Sequence, residues 1–248
     1  MTMGGYGETA LVRGLGFLAE KQAAIANNLA NVDTTSFKRR VATTTPGAAS
    51  FQSLLEQELP TVEYQERADL SRGIVRETGN RLDVAIDGPQ WLRVQNRAGA
   101  TFYTRNGQLQ VDAQGQLVNR SGLAVLDSGG APISLNTTDA NVGTLVISPN
   151  GQIGDPKSGA TYGTLGLFTL PRPEALVPTG NGLYADPEGQ AASLVPGGVQ
   201  QGFLEGSNVD SLQELVQMIT VERSFTATQK ALSGLGRMEE NLVNNILR

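Results

Sequence analysis

Apolar positions follow two periods along this chain. Near the N-terminus Leu11, Leu15, Leu18, Gln22, Ile25, Leu29 and Val32 recur at steps of four and three, which lays one narrow seam along a helix with only Gln22 interrupting it. Near the C-terminus Val221, Phe225, Thr228, Leu232, Leu235, Leu242 and Ile246 make a similar stripe, with Met238 or Glu239 filling its gap. Ahead of it, Ser211-Leu212-Gln213-Glu214 reads as a capping box. Between the two helices the period falls to two. Residues 82–94, 101–111, 116–126 and 144–153 carry alternating or short apolar runs separated by Gly, Pro, Asn and Asp, which predicts antiparallel strands. Gly107, Gly115 and Gly151 each follow a polar residue and precede Gln, where a tight hairpin needs a positive φ. Residues 38–72 carry neither period strongly and read as an extended connector, with a short helical candidate at 51–59.

The predicted fold class is α+β, mainly β. Terminal helices pair as a coiled-coil layer, and an antiparallel β domain lies between them. The expected domains are 1–37 with 206–248 for assembly, 38–72 as connector and 73–205 as β domain. A two-helix unit still leaves apolar flanks at Phe17, Ala24, Leu215 and Ile219, and their expected neighbours are other copies of the chain. Asn27, Asn28 and Asn31 cluster at the end of the first helix. Amides there fit polar helix–helix contacts that fix register, against the simpler reading in which Asn31 caps the helix and Asn27 and Asn28 face water.

Composition narrows the chemistry. The 248 residues include no cysteine and no histidine, which removes disulfides, thiolate and imidazole metal ligands, and the usual nucleophile–base pairs. No catalytic residue, metal site or cofactor is expected. The acidic pairs Asp83/Asp87 and Glu239/Glu240 read as a solvated strand edge and a charged helix surface. Gly14-Leu15-Gly16-Phe17-Leu18-Ala19 fits a loose dinucleotide fingerprint, but no strand precedes it and its apolar residues belong to the seam. Nineteen Lys and Arg against 24 Asp and Glu give a net charge of -5, which provides no reason to expect nucleic acid, and Lys38-Arg39-Arg40 reads as a solvated loop. No segment is apolar enough for membrane insertion, and the N-terminus lacks the pattern of a cleaved signal.

Four stretches carry a family resemblance: "ANNLANVDTTSFKR" at 26–39, "LDVAIDGPQWLRVQ" at 82–95, "YTRNGQLQVDAQGQLV" at 103–118 and "LEGSNVDSLQELVQMITVERSFTATQKAL" at 204–232. They resemble, in order, the signature blocks of the flagellar basal-body rod and hook family. The resemblance implies a structural axial protein of the bacterial flagellum, built into the periplasm-spanning rod that transmits motor torque. It implies export through the flagellar type III apparatus, self-association and contact with other rod proteins, and an inner coiled-coil layer of paired terminal helices. Carried over position by position, Asn27, Asn28, Asn31, Thr34, Phe37 and Lys38 fall on the N-terminal motif. Gly206, Ser207, Asn208, Val209, Met218, Ile219, Arg223, Phe225 and Lys230 fall on the C-terminal one. With the seam residues, these make the expected assembly interface. Ser36 replaces the family's usual Gly or Pro, so no special backbone role is assigned to it. Pro89-Gln90-Trp91 looks more like the proximal-rod members than the distal-rod ones. A surface-binding module or adhesin is the alternative from another class, since it would share the β body without needing the terminal seams.

Overall fold

The computed structural model describes residues 3–46, 62–135 and 142–246. Two compact units divide the chain: Met1–Val32, Arg39–Asp69 and Val209–Arg248 form the first, and Asp33–Lys38 with Leu70–Asn208 form the second. The architecture is α+β and mainly β, with one long helix toward each end of the chain.

The first unit contains helix α1 (Met3–Ala30), helix α2 (Ser211–Ile246) and an antiparallel ribbon of β1 (Arg40–Pro46) and β2 (Val62–Ala68), paired from Arg40↔Ala68 to Pro46↔Val62. α1 lies against both α2 and β1. The shielded side of α2 includes Glu214, Met218, Val221, Phe225, Thr228, Leu232 and Leu235, again in steps of four and three. α1 ends where Asn31 folds back, its amide N–H on the Asn28 carbonyl and its side chain on the Asn27 carbonyl at 2.8 Å, so open acceptors of the last turn are filled. Within α1, Gly14 and Gly16 each cost about 1 kcal/mol relative to Ala, so packing must hold the helix.

The ribbon occupies part of the segment expected to be an extended connector. The helical candidate at 51–59 lies outside the described residues. The start of α2 also differs from expectation: Asp210 is the cap, its Oδ1 accepting the N–H groups of Leu212 and Gln213 at 2.9 and 3.1 Å. Glu214 cannot complete a capping box because its carboxylate is engaged by Asn28 and Arg39.

The second unit is built of short strands: β3 (Val75–Glu77), β4 (Val84–Asp87), β5 (Trp91–Gln95), β6 (Thr101–Thr104), β7 (Leu109–Val111), β8 (Leu117–Asn119), β9 (Ala124–Val125), β10 (Val146–Ile147), β11 (Gln152–Asp155), β12 (Ala160–Thr164), β13 (Leu167–Thr169), β14 (Val177–Gly180), β15 (Leu183–Ala185), β16 (Ser193–Leu194), β17 (Gly198–Gln201) and β18 (Phe203–Glu205). The main sheet runs β14-β15-β6-β5-β9-β8-β7, with β13 also on β5 and β16 on β13. β10, β11 and β12 form a second sheet, while β17 pairs with β4 and β18 with β3. Every named pairing is antiparallel, as the period-two pattern and its turn residues require. Val84, Ile86, Leu92, Leu117, Leu145 and Ile153 meet in one apolar core.

The three glycines expected at hairpins divide by mechanism. Gly115 and Gly151 have φ of 77° and 83°, where a side chain is strained. Gly107 does not lie in that region. It is required by close approach, since a Cβ there would stand 1.8 Å from the Val84 carbonyl oxygen.

Candidate assembly interface

Two buried polar clusters tie together segments far apart in sequence. In the first unit Asn28 is fully buried on the inner side of α1, and its amide is used three ways. Nδ2 donates to the Arg40 carbonyl at 2.9 Å and to Glu214 Oε2 at 3.1 Å, and Oδ1 accepts the Arg40 N–H at 2.7 Å. Glu214, also fully buried, takes Arg39 Nε on its other oxygen at 2.5 Å. One amide therefore joins α1, the first residue of β1 and the first turn of α2. A carboxylate in the first turn also lies near the positive end of the α2 dipole.

The second cluster centres on Glu205, at the end of β18. Its Oε1 accepts Lys38 Nζ at 2.5 Å and the Gly73 N–H at 3.1 Å, and its Oε2 accepts two Arg105 nitrogens at 2.8 Å each. Lys38 and Glu205 side chains are both 0% exposed. Lys38 also donates to the Ser71 carbonyl at 2.6 Å, and Arg105 to the Gln90 carbonyl at 2.7 Å. Burial alone would raise the Glu205 carboxyl; the Arg105 and Lys38 charges and their hydrogen bonds outweigh it and hold the group below its ordinary value. Arg105 also lies over the Trp91 ring, 5.8 Å from its centroid, and Tyr184 meets that ring edge-on at 5.0 Å. Asn208 closes the cluster, bonding the Ser71 carbonyl and hydroxyl at 3.1 and 3.0 Å.

Three expectations are corrected here. Lys38-Arg39-Arg40 is no solvated run: Lys38 is buried on Glu205, Arg39 is paired with Glu214 and Arg40 with Glu66. Ser36 has a backbone role after all. It adopts φ 56°, donates its N–H to the Glu205 carbonyl at 2.8 Å and its hydroxyl to the Arg105 carbonyl at 2.8 Å. A hydroxyl with a carbonyl to bond offsets part of the left-handed strain that Gly would avoid. Asp83 is buried rather than solvated, accepting from Thr78 Oγ1 at 2.7 Å and Asn80 Nδ2 at 3.1 Å, while Asp87 is exposed and pairs with Arg72. Each of these side chains has a partner within the chain. Among the described residues there is no group of three or more acidic side chains placed to hold a metal, and no helix long and apolar enough to cross a membrane.

The expected interface residues fall in both units. Leu11, Leu15, Leu18, Leu29, Asn31 and Val32 are half-buried in the first unit, Ile25 and Asn28 are buried, and Asn27 is exposed. On α2, Met218, Phe225, Leu232 and Leu235 are half-buried, whereas Ile219 and Arg223 face solvent; Leu242 and Ile246 lie in its last turns. Val209, just ahead of α2, is buried. Phe37, Ser207 and Asn208 belong to the second unit, where the Asn208 N–H reaches the Phe37 carbonyl at 3.4 Å. Sequence reasoning gave Glu205 and Arg105 no role and Glu214 only a capping one, since an isolated acid or arginine carries no local sign of a partner a hundred or more positions away.

Three segments of the chain match models of known families. Residues 10–38 match the model of the "Flagella basal body rod protein" family, 85–154 that of the "Flagellar hook protein FlgE/F/G D1 domain", and 200–246 that of the "Flagellar basal body rod FlgEFG protein C-terminal". The chain is 32% identical over 216 residues to the flagellar basal-body rod protein FlgF of Rhizobium meliloti, covering 84% of each. The chain belongs to the flagellar basal-body rod and hook family. It is also 31% identical to FlgG of Agrobacterium fabrum, across 90% of this chain and 92% of that one, and to FlgF of Escherichia coli K12, across 87% and 88%. This rod-family chain is thus a structural component of the flagellar basal body. Its two buried clusters draw on all three matched segments: Asn28 and Lys38 on the first, Arg105 on the second, Glu205 and Glu214 on the third.

Proposed function

We propose that the chain polymerises into the proximal rod, its terminal helices pairing as a coiled-coil layer that lines the tube while the β domain stands outside and torque passes along the polymer. One observation carries this reading: α2 lies against α1 yet keeps Leu212, Leu215, Val216 and Ile219 between 46% and 70% exposed. An apolar face of that size on one helix is costly in water and is satisfied by association. The seam residues, with Asn27, Asn28 and Asn31, are the assembly interface in this reading. Its partners are further copies, other rod proteins and the flagellar type III export apparatus. Pro89-Gln90-Trp91 supports a proximal position. Relatives named FlgG match about as well as those named FlgF, and they favour the distal rod as the second reading.

Electron microscopy of basal bodies from cells lacking the chain tests the proposal. Structures that stop before the distal rod support it. Structures that lack only the distal segment favour the second reading, and complete basal bodies contradict both.

A further inference from the structure

α2 has a second side. With about 3.6 residues per turn, Leu212, Leu215, Val216, Ile219 and Arg223 project within roughly one third of its circumference, away from the side that carries Val221 and Phe225. All five are exposed. Further along the same face come Lys230 and Arg237, also exposed, so it begins aliphatic and becomes basic.

α1 offers the opposite relief. Its outward face carries Val12, Gly16, Ala19, Ala23, Ala26 and Ala30, exposed and small apart from Val12. Beside it lies a groove of about 370 Å³, floored by Ala23 and Ala42 and rimmed by Glu20, Asn27, Arg40 and Glu66. Glu8 and Glu20 are exposed along this side. Among the described residues neither Glu20 nor Arg223 forms an ion pair within the chain.

We infer that the occupant of this groove is the outward face of α2 from a second copy of the chain: Val216 and Ile219 seat over Ala23 and Ala26, and Arg223 meets Glu20. Large side chains oppose small ones, and Arg223 and Arg237 oppose Glu20 and Glu8. In an antiparallel arrangement the order agrees along the contact: Leu212 toward Ala30, Ile219 toward Ala23, Arg223 toward Glu20 and Arg237 toward Glu8. The two faces belong to different surfaces of one chain, so the contact is heterologous and propagates from copy to copy rather than closing a dimer. Charge complementarity sets its register. The inference rests on the assembly reading above and assigns the surfaces that carry it.

The chain has no cysteine, so no native disulfide between copies obscures the cross-link. Two full-length copies with different epitope tags, one Ala23→Cys and the other Ile219→Cys, are expressed together in cells lacking the native chain, and their basal bodies are oxidised. The expected product is a dimer carrying both tags, absent when Gln213→Cys replaces Ile219→Cys. Arg223→Glu is expected to reduce swimming several-fold, and adding Glu20→Arg to the same chain to restore it. Motile cells without the mixed dimer, or with Ile219→Cys joined to an untagged protein, overturn the contact while leaving the assembly reading intact. Failure of Glu20→Arg to rescue a folded Arg223→Glu chain overturns it equally. Absence of the wild-type chain from isolated rods defeats the assembly reading itself.

Discussion

Lys38 and Glu205, 167 positions apart, form an ion pair whose side chains are both closed to solvent. Arg105 shares the same carboxylate, so two cations depend on one anion. Glu205→Gln leaves both cations buried without a counter-charge and is expected to destabilise the chain by about 3–5 kcal/mol in denaturant titration. A double-mutant cycle with Lys38→Met is expected to give a coupling of about 1–3 kcal/mol. Additive effects would show that the pair is not formed.

Acid should act through the same carboxylate. Because folding lowers its pKa, its contribution is complete above the unfolded value near 4.5 and is lost as pH falls through the lower folded value. Stability measured by thermal melts should therefore fall as pH is lowered below about 4.5, and Glu205→Gln should flatten that dependence.

Asp210 and Ser211 compete for the cap of α2, and the hydrogen bonds go to Asp210. Asp210→Ala is expected to cost about 1 kcal/mol and Ser211→Ala much less. The reverse order in urea titrations would restore Ser211 as the cap.

Gly107 and Gly122 separate two uses of glycine. Gly122 has φ 77° with open space around it, so Gly122→Ala meets only backbone strain of about 1 kcal/mol. At Gly107 the added methyl meets the Val84 carbonyl oxygen, and backbone must move. Gly107→Ala is expected to lower the melting temperature well below that of Gly122→Ala, with a cost of about 1–3 kcal/mol or more.

The regular elements were legible because their periods are local. Steps of three and four announce α1 and α2, and alternation with glycine turns announces the strands from β4 to β11. Pairings set by distant residues were not legible. Lys38 sits in a basic run, and only Glu205, brought beside it by β18, makes its burial tolerable. Ser36 shows no sign of a left-handed backbone until the Arg105 carbonyl is in place to receive its hydroxyl. The pairing of β1 with β2 is likewise hidden, because Arg40–Pro46 and Val62–Ala68 are largely polar and alternate weakly.

Association through the helices is tested most directly at Leu232, half-buried on the shielded side of α2. An aspartate forced between packed helices carries a desolvation penalty of several kcal/mol, which an unassembled helix escapes by turning to water. Leu232→Asp, expressed in place of the native chain, is to be followed by electron microscopy of isolated basal bodies. The expected result is rods that stop short and lack the variant, in non-motile cells, while Asp87→Asn at the exposed β4 position leaves rods complete. Complete rods containing Leu232→Asp in swimming cells would contradict assembly through the terminal helices.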